Sequence, residues 1–341
     1  MPTLPSTILF NGHPTIDVRS PGEVGQGRAP GAISMPLFTD EERKRVGIAY
    51  KQKGRDIAVM IGLKIVGPKM HGFVEQALAI APEKKVNMYC WRGGMRSGSM
   101  AWLLQTAGFD VLLIEGGYKA WRREVQAVFS KPFKYINLGG LTGVGKTDVL
   151  MALREQGEQV IDLEGLACHT GSAFNSHEHV QPTTEQFENL MAEELLRLDA
   201  SRPIWIEDES RSIGKVVVHQ AVYDRKRAAP FVVIERPKEE RVAHLCELYG
   251  EVPIETLKDS FLKIEKRLGG LQLQMAMKHL DEGKLADAAL IALTYYDKAY
   301  MHSMAKQERT AILSLSLAEM TTSQGATALI EWKKSTKDLS D

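Results

Sequence analysis

Two stretches of the chain alternate apolar strands with amphipathic helices, and a short polar stretch separates them. Apolar runs at 14–24 (PTIDVRSPGEV, broken by Ser-Pro-Gly), 85–90 (KVNMYC) and 111–117 (VLLIEGG) read as short buried strands. Residues 97–110 (SGSMAWLLQTAGFD), ending near Gly108, and 118–130 (YKAWRREVQAVFS) read as helices. After SKPFK at 130–134 the pattern restarts, with a strand at 135–140 (YINLGG) running into LTGVGKTDVLMALREQG. Alternation of this kind predicts parallel sheets covered by helices on both faces. The expected architecture is therefore α/β in two domains, 1–131 and 132–341, the second turning helical and charged beyond about residue 235.

Composition changes this picture little. A chain of 341 residues has room for two domains, and 44% hydrophobic with 25% charged residues fits a soluble globular protein. Lys plus Arg and Asp plus Glu both number 43, so bulk charge gives no pull toward nucleic acid, although a local patch can supply one. Cys90, Cys168 and Cys246 are too far apart for a disulfide framework or a paired metal motif, which suits a reducing compartment. MPTLPSTILF has no basic segment or long apolar core of a signal peptide, and no apolar run approaches the roughly 20 residues of a membrane span. A cytoplasmic protein without a membrane partner is expected.

The first candidate chemistry is CWRGGMRS, residues 90–97, where a strand has ended and a helix has yet to begin. In an open α/β sheet that crevice binds ligands. Backbone N–H groups of this loop and the positive end of the next helix converge there with Arg92 and Arg96. These groups should depress the Cys90 thiol below its free value and cradle an anion carried by the substrate. Arg92, Gly93, Gly94, Arg96 and Ser97 are the candidate anion-binding residues.

The second is GLTGVGKT, residues 140–147, which satisfies G-x4-G-K-T between a strand and a helix. Gly140, Gly143 and Gly145 let backbone N–H groups surround a di- or triphosphate, Lys146 bridges its oxygens and Thr147 faces Mg²⁺. The strand PIWIEDES ends in acids about sixty residues later, and Asp208 or Glu209 is the candidate acid on the Mg²⁺ side. The loop binds phosphate; it does not by itself establish ATP hydrolysis.

Around Cys90, DVRSPGEVGQGRAPGAISMPL (17–37) resembles the opening of a rhodanese domain, with Asp17, Arg19, Glu23 and Gly31-Ala32 in its pattern, and LIEGGYKAWR (113–122) resembles the end of one. The Cys-x5-Arg spacing also occurs in Cdc25-type phosphatases of the same fold, so spacing alone leaves a phosphatase open. A rhodanese-like parallel-sheet domain followed by a P-loop NTPase-like α/β domain with a helical C-terminal region resembles the bacterial tRNA 2-selenouridine synthases. DEERKRVGIAYKQKG (40–54), AVMIGLKIV (58–66) with Gly62, IDLEGLACHTGSAF (161–174), EDESRSIG (207–214), IEKRLGG (264–270) and YYDKAY (295–300) are similar to family stretches in the same order. Two departures stand out. Where the family tends to read ARHRGSAFG, this chain has Ala167-Cys168-His169-Thr170-Gly171-Ser172-Ala173-Phe174-Asn175, and Lys298 stands where proline tends to follow YYD. Both departures leave Cys90 and the P-loop intact.

The resemblance implies a transferase acting on wobble-position 2-thiouridine in tRNA. Geranyl diphosphate first alkylates the sulfur; selenophosphate then supplies selenium, carried on Cys90 as S-selanylcysteine, to give 2-selenouridine. It implies Mg²⁺ held without a dedicated protein-only site, no requirement for ATP hydrolysis, and a selenophosphate-producing enzyme as transient partner. For tRNA contact the candidates are Arg43, Arg45, Lys51, Lys53 and Arg55, grouped around Tyr50. DRKRAAP (224–230) and LKIEKRLGG (262–270) are weaker candidates, better read as surface helix faces. The rival readings are a rhodanese-type sulfurtransferase, a phosphatase fused to a nucleotide-binding module, or a non-catalytic regulator.

Overall fold

A computed structural model describes residues 3–4, 12–169, 180–306 and 311–336. The chain divides into two compact units, Met1–Ser130 with Glu188–Glu193, and Lys131–Phe187 with Glu194–Asp341.

The first unit holds strands β1 (Thr3–Leu4), β2 (Thr15–Asp17), β3 (Ile33–Ser34), β4 (Lys85–Tyr89) and β5 (Asp110–Ile114). They form one parallel sheet in the order β1-β5-β4-β2-β3, with β4 at its centre. The helices are α1 (Pro21–Gln26), α2 (Asp40–Lys53), α3 (Arg55–Val66), α4 (Met70–Ile80), α5 (Met95–Thr106) and α6 (Gly117–Val128). Ile16, Val86, Met88 and Val111 from the strands pack with Phe73, Met100 and Leu104 from the helices, so the sheet is buried through its middle. β-Rich apolar runs of this kind are what a sheet covered on both faces requires.

The basic segment at 42–55 runs along α2 and, past Gly54, onto the first residue of α3. Thr39 caps α2 by accepting from the Glu42 N–H, and the Glu42 carboxylate accepts from the Thr39 N–H in return. Within Arg55–Ile80 an 18-residue window has a mean hydropathy of 1.4, long and apolar enough to cross a bilayer by length and composition alone. The stretch is two helices joined by a 3-10 turn at Gly67–Lys69, and Phe73 and Ala77 on its second half enter the core. Lys69, within the turn, pairs with Glu42 at 2.6 Å.

The second unit begins with β6 (Tyr135–Gly139), α7 (Lys146–Glu155), β7 (Gln159–Ile161), α8 (Leu163–Leu166), α9 (Thr184–Arg197) and β8 (Ile204–Glu207). A small hairpin of β9 (Ser212–Ile213) and β10 (Val216–Val217) follows, then α10 (Gln220–Ala228) and β11 (Phe231–Glu235). Helices α11 (Lys238–Tyr249), α12 (Ile254–Lys263), α13 (Glu265–Leu268), α14 (Gly270–Asp281) and α15 (Leu285–Lys306) form the helical part, and β12 (Leu313–Ser316) and α16 (Thr322–Ser335) close the chain. The sheet is parallel in the order β12-β11-β6-β8-β7. The helical reading beyond residue 235 missed β12, whose leucines at 313 and 315 alternate with serines in the period of a strand. Leu257, Phe261, Leu273, Ala276, Leu280, Ala288 and Ala292 make a separate small core among α12, α14 and α15.

Candidate functional site

Cys90 follows the central strand β4, at the carboxyl edge of the first sheet, and is buried. Its loop is held from below by the start of α6: Tyr118 N–H donates to the Cys90 carbonyl at 2.9 Å and Lys119 N–H to that of Trp91 at 3.0 Å. Gly117 makes this approach possible, because a Cβ there would stand 2.3 Å from the Cys90 carbonyl oxygen. That explains the second glycine of LIEGGYKAWR; at the first, Gly116, a Cβ would stand 2.7 Å from the Ala120 Cβ. Ser97 Oγ donates to Cys90 Sγ at 3.2 Å. Burial works against the thiolate, but the bonds from Ser97 and the Arg92 backbone, with the Arg96 charge, outweigh it and hold the thiol below its ordinary value. Among the influences that lower the thiol, the hydrogen bonds from Ser97 and the Arg92 backbone come ahead of the Arg96 charge.

The two arginines differ. Arg92 is exposed, whereas Arg96 is bidentate to Glu23, Nη1 to Oε2 at 2.5 Å and Nη2 to Oε1 at 3.1 Å. Arg43 reaches the same carboxylate at 3.0 Å. Burial raises the Glu23 carboxyl, yet Arg96 and Arg43 together hold it below the usual range. Glu23 itself is set by Ser20, whose N–H it accepts at 3.1 Å. A buried pair lies behind them: Arg19 donates to both Asp17 oxygens and stacks over Tyr118 at 3.7 Å.

Of the residues expected to touch tRNA, Arg43 and Lys51 join Lys44, Tyr50 and Arg96 in an open cleft of about 930 Å³, mouth included. Arg45, Lys53 and Arg55 are exposed and lie outside its lining.

In the second unit the phosphate loop joins β6 to α7, again after a central strand. Gly143 and Gly145 take φ of +78° and +84°, the left-handed turns that aim successive N–H groups inward. Lys146 folds over the loop with Nζ 3.3 Å from the Gly140 carbonyl. Side chains remote in sequence grip the loop from outside. Tyr300 Oη accepts from Gly140 N–H at 3.1 Å, Arg236 Nε donates to the Val144 carbonyl at 3.2 Å, and Arg241 Nη1 donates to the Thr142 carbonyl at 3.1 Å. Arg241 is fixed in turn by two 2.8 Å bonds to Asp297. The YYDKAY stretch therefore acts through Asp297 and Tyr300, one step from the phosphate cradle.

The acid beside Thr147 is not Asp208. Thr147 Oγ1 stands 3.5 Å from Glu207 and 3.4 Å from Glu164, while Asp208 accepts from Asn137 Nδ2 at 2.9 Å. Glu207 is fully buried at the end of β8, and Glu209, the other expected acid, is close enough to Glu164 to raise its carboxyl. Burial and then the Glu209 charge push Glu164 up to about 8, and burial with Glu164 beside it raises Glu207 well above the carboxylate range. Two such carboxyls and a threonine hydroxyl fit a divalent cation, whose charge would offset what now favours their protonated forms. Among the described residues there is no group of three or more His, Cys, Asp or Glu that could hold a metal ion. Of the departing stretch 167–175, residues 170–175 lie outside the described residues.

Fold and site define the class: a rhodanese-like unit with a buried, hydrogen-bonded cysteine at a strand end, joined to a P-loop α/β unit. The rhodanese-like family model matches residues 9–124, and the model described as the tRNA 2-selenouridine synthase AAA domain matches 133–253. Proteins named tRNA 2-selenouridine synthase are similar over nearly the whole chain. That of Hydrogenovibrio crunogenus is 37% identical, covering 88% of this chain and 92% of its own. That of Shewanella woodyi is 35% identical, covering 89% and 91%, and that of Marinobacter nauticus 32% identical, covering 96% of each. The chain belongs to the tRNA 2-selenouridine synthase family, a family of tRNA-modifying transferases.

Proposed function

We propose that the protein converts wobble-position 2-thiouridine in tRNA to 2-selenouridine in two steps, each assigned to one unit. At the P-loop, the thione sulfur displaces diphosphate from geranyl diphosphate, forming a C–S bond as the allylic C–O bond breaks. Lys146 and the loop N–H groups bind the departing diphosphate, and Thr147 with Glu207 and Glu164 would hold the Mg²⁺ that further neutralises it. Nothing in this chemistry requires ATP hydrolysis. Alkylation turns a poor leaving group into a better one, and selenium then replaces the geranylthio group.

At the cysteine loop, selenophosphate is the selenium donor and Cys90 the carrier. The S–Se bond of S-selanylcysteine forms as the Se–P bond breaks with its electron pair on phosphorus. Selenium then bonds to C2 as geranylthiolate leaves, and an external thiol reductant cleaves the S–Se bond to free the selenouridine and restore Cys90. Arg96, Arg92 and the N–H groups of Gly93, Gly94 and Ser97 hold the phosphate end. The donor comes from a selenophosphate-producing enzyme. Arg43, Lys51 and Tyr50 of the cleft beside Arg96, with Arg45, Lys53 and Arg55 further out, contact the tRNA.

The observation that carries this reading is the buried Cys90 thiol at the end of the central strand, hydrogen-bonded by Ser97, in a chain that belongs to this family. The test is nucleoside mass spectrometry of tRNA incubated with the purified protein, geranyl diphosphate and selenophosphate. Appearance of S-geranyl-2-thiouridine and then 2-selenouridine is expected. Unchanged 2-thiouridine with both donors present would reject the reading.

A further inference from the structure

One apolar slot in the second unit belongs to no step described so far. Its walls come from α11, α12, α14 and α15, including Leu245, Phe261, Leu280, Ala288 and Ala292, and its rim includes Thr142 of the phosphate loop. It measures about 460 Å³ with its mouth counted, and its lining is almost wholly apolar. Loop and wall touch directly: a Cβ on Gly143 would stand 3.0 Å from the Arg241 carbonyl and 3.1 Å from Leu245 Cγ. Arg241, on the same helix as Leu245, donates to the Thr142 carbonyl at 3.1 Å.

We propose that this slot holds the hydrocarbon tail of the diphosphate ester bound at the loop and sets the chain length that the enzyme accepts. A ligand seated on both features carries phosphates at one end and an apolar body at the other. A nucleotide base does not meet that description, since its ring nitrogens and amino group would enter a wall with almost no hydrogen-bond partners. A short prenyl chain does. Ala288 and Ala292 are buried, at 1% and 5% exposure, on one side of α15. A longer side chain at either position would fill the slot, while removing Phe261 would deepen it.

The inference rests on the reading that the loop takes a prenyl diphosphate, and the experiment separates the two. Full-length protein with Mg²⁺ is titrated calorimetrically with inorganic pyrophosphate and with dimethylallyl, geranyl and farnesyl diphosphates. Wild type should bind the geranyl ester on the order of tenfold or more tighter than the dimethylallyl ester, because the extra five carbons leave water. Ala288→Leu should erase that preference and leave pyrophosphate affinity within about twofold. Phe261→Ala should move the preference toward farnesyl diphosphate, which keeps the test decisive if Ala288→Leu fails to fold. If wild type binds geranyl diphosphate no better than pyrophosphate, the reading of the loop falls and the slot with it. If wild type geranylates tRNA but neither substitution moves chain-length preference, the slot alone is overturned.

Discussion

Arg96 closes a two-point ion pair on Glu23, 73 residues away in the chain, at 2.5 and 3.1 Å. The guanidinium that the loop offers to an anion is thus already neutralised by a carboxylate, which Arg43 shares. On the proposed reading, a selenophosphate bound here shares or displaces Glu23. Glu23 also tempers the positive field at Cys90. Arg96→Ala should therefore weaken selenophosphate binding about tenfold or more, the scale of a charge-assisted bond, and leave tRNA affinity nearly unchanged. Glu23→Gln should act oppositely on the thiol. The pH midpoint of iodoacetamide alkylation at Cys90 should fall in Glu23→Gln and rise in Arg96→Ala.

The same carboxylate predicts an acid limb in stability. The folded pKa of Glu23 lies below its unfolded value, so its contribution is complete above the unfolded pKa of about 4.3 and is lost as pH falls through the folded value. Denaturant midpoints measured from pH 6 downward should fall less steeply in Glu23→Gln than in wild type. Parallel curves would show that the pair adds nothing.

Cys90→Ser should abolish selenium transfer while geranylation of 2-thiouridine continues, since the proposed scheme gives the thiol no part in the P-loop step. In wild type incubated with selenophosphate, the peptide carrying Cys90 should gain the mass of selenium. Ser97→Ala removes the 3.2 Å bond to sulfur and should raise the alkylation midpoint, slowing selenation at neutral pH. Selenouridine made at the wild-type rate by Cys90→Ser would remove it as the carrier.

Lys146→Ala should block geranylation and hence selenation from 2-thiouridine tRNA. Supplying tRNA already geranylated should restore most of the product, because the cysteine loop is untouched. Failure on that substrate, with tRNA binding intact, would mean that the loop serves both steps.

Arg241 is buried at 4% exposure and bonded to Asp297 and to the Thr142 carbonyl. Asp297→Ala strands that charge and should cost about 3 kcal/mol, read by urea denaturation. Pyrophosphate affinity should fall with it, whereas Asp297→Glu should recover part of both. Lost stability with unchanged pyrophosphate affinity would make the pair a packing device alone.

Contiguous features were legible in the chain itself: the strand–loop–helix rhythm, the cysteine loop and the phosphate loop. Each is a run of neighbouring residues whose backbone geometry is local, so glycine placement and apolar spacing suffice to read it. Tertiary structure alone decided which distant side chains converge. EDES offers three successive acids, and strands alternate faces with every residue, so a one-residue uncertainty in where β8 ends swaps Glu207 for Asp208. The pairing of Glu207 with Leu138 across the sheet settles it. The Glu23–Arg96 pair, the Arg241–Asp297 grip on the phosphate loop and the apolar slot each depend on helices far apart in sequence packing together. Such packing leaves no periodic mark at any one position, because it is a property of two surfaces rather than of either segment.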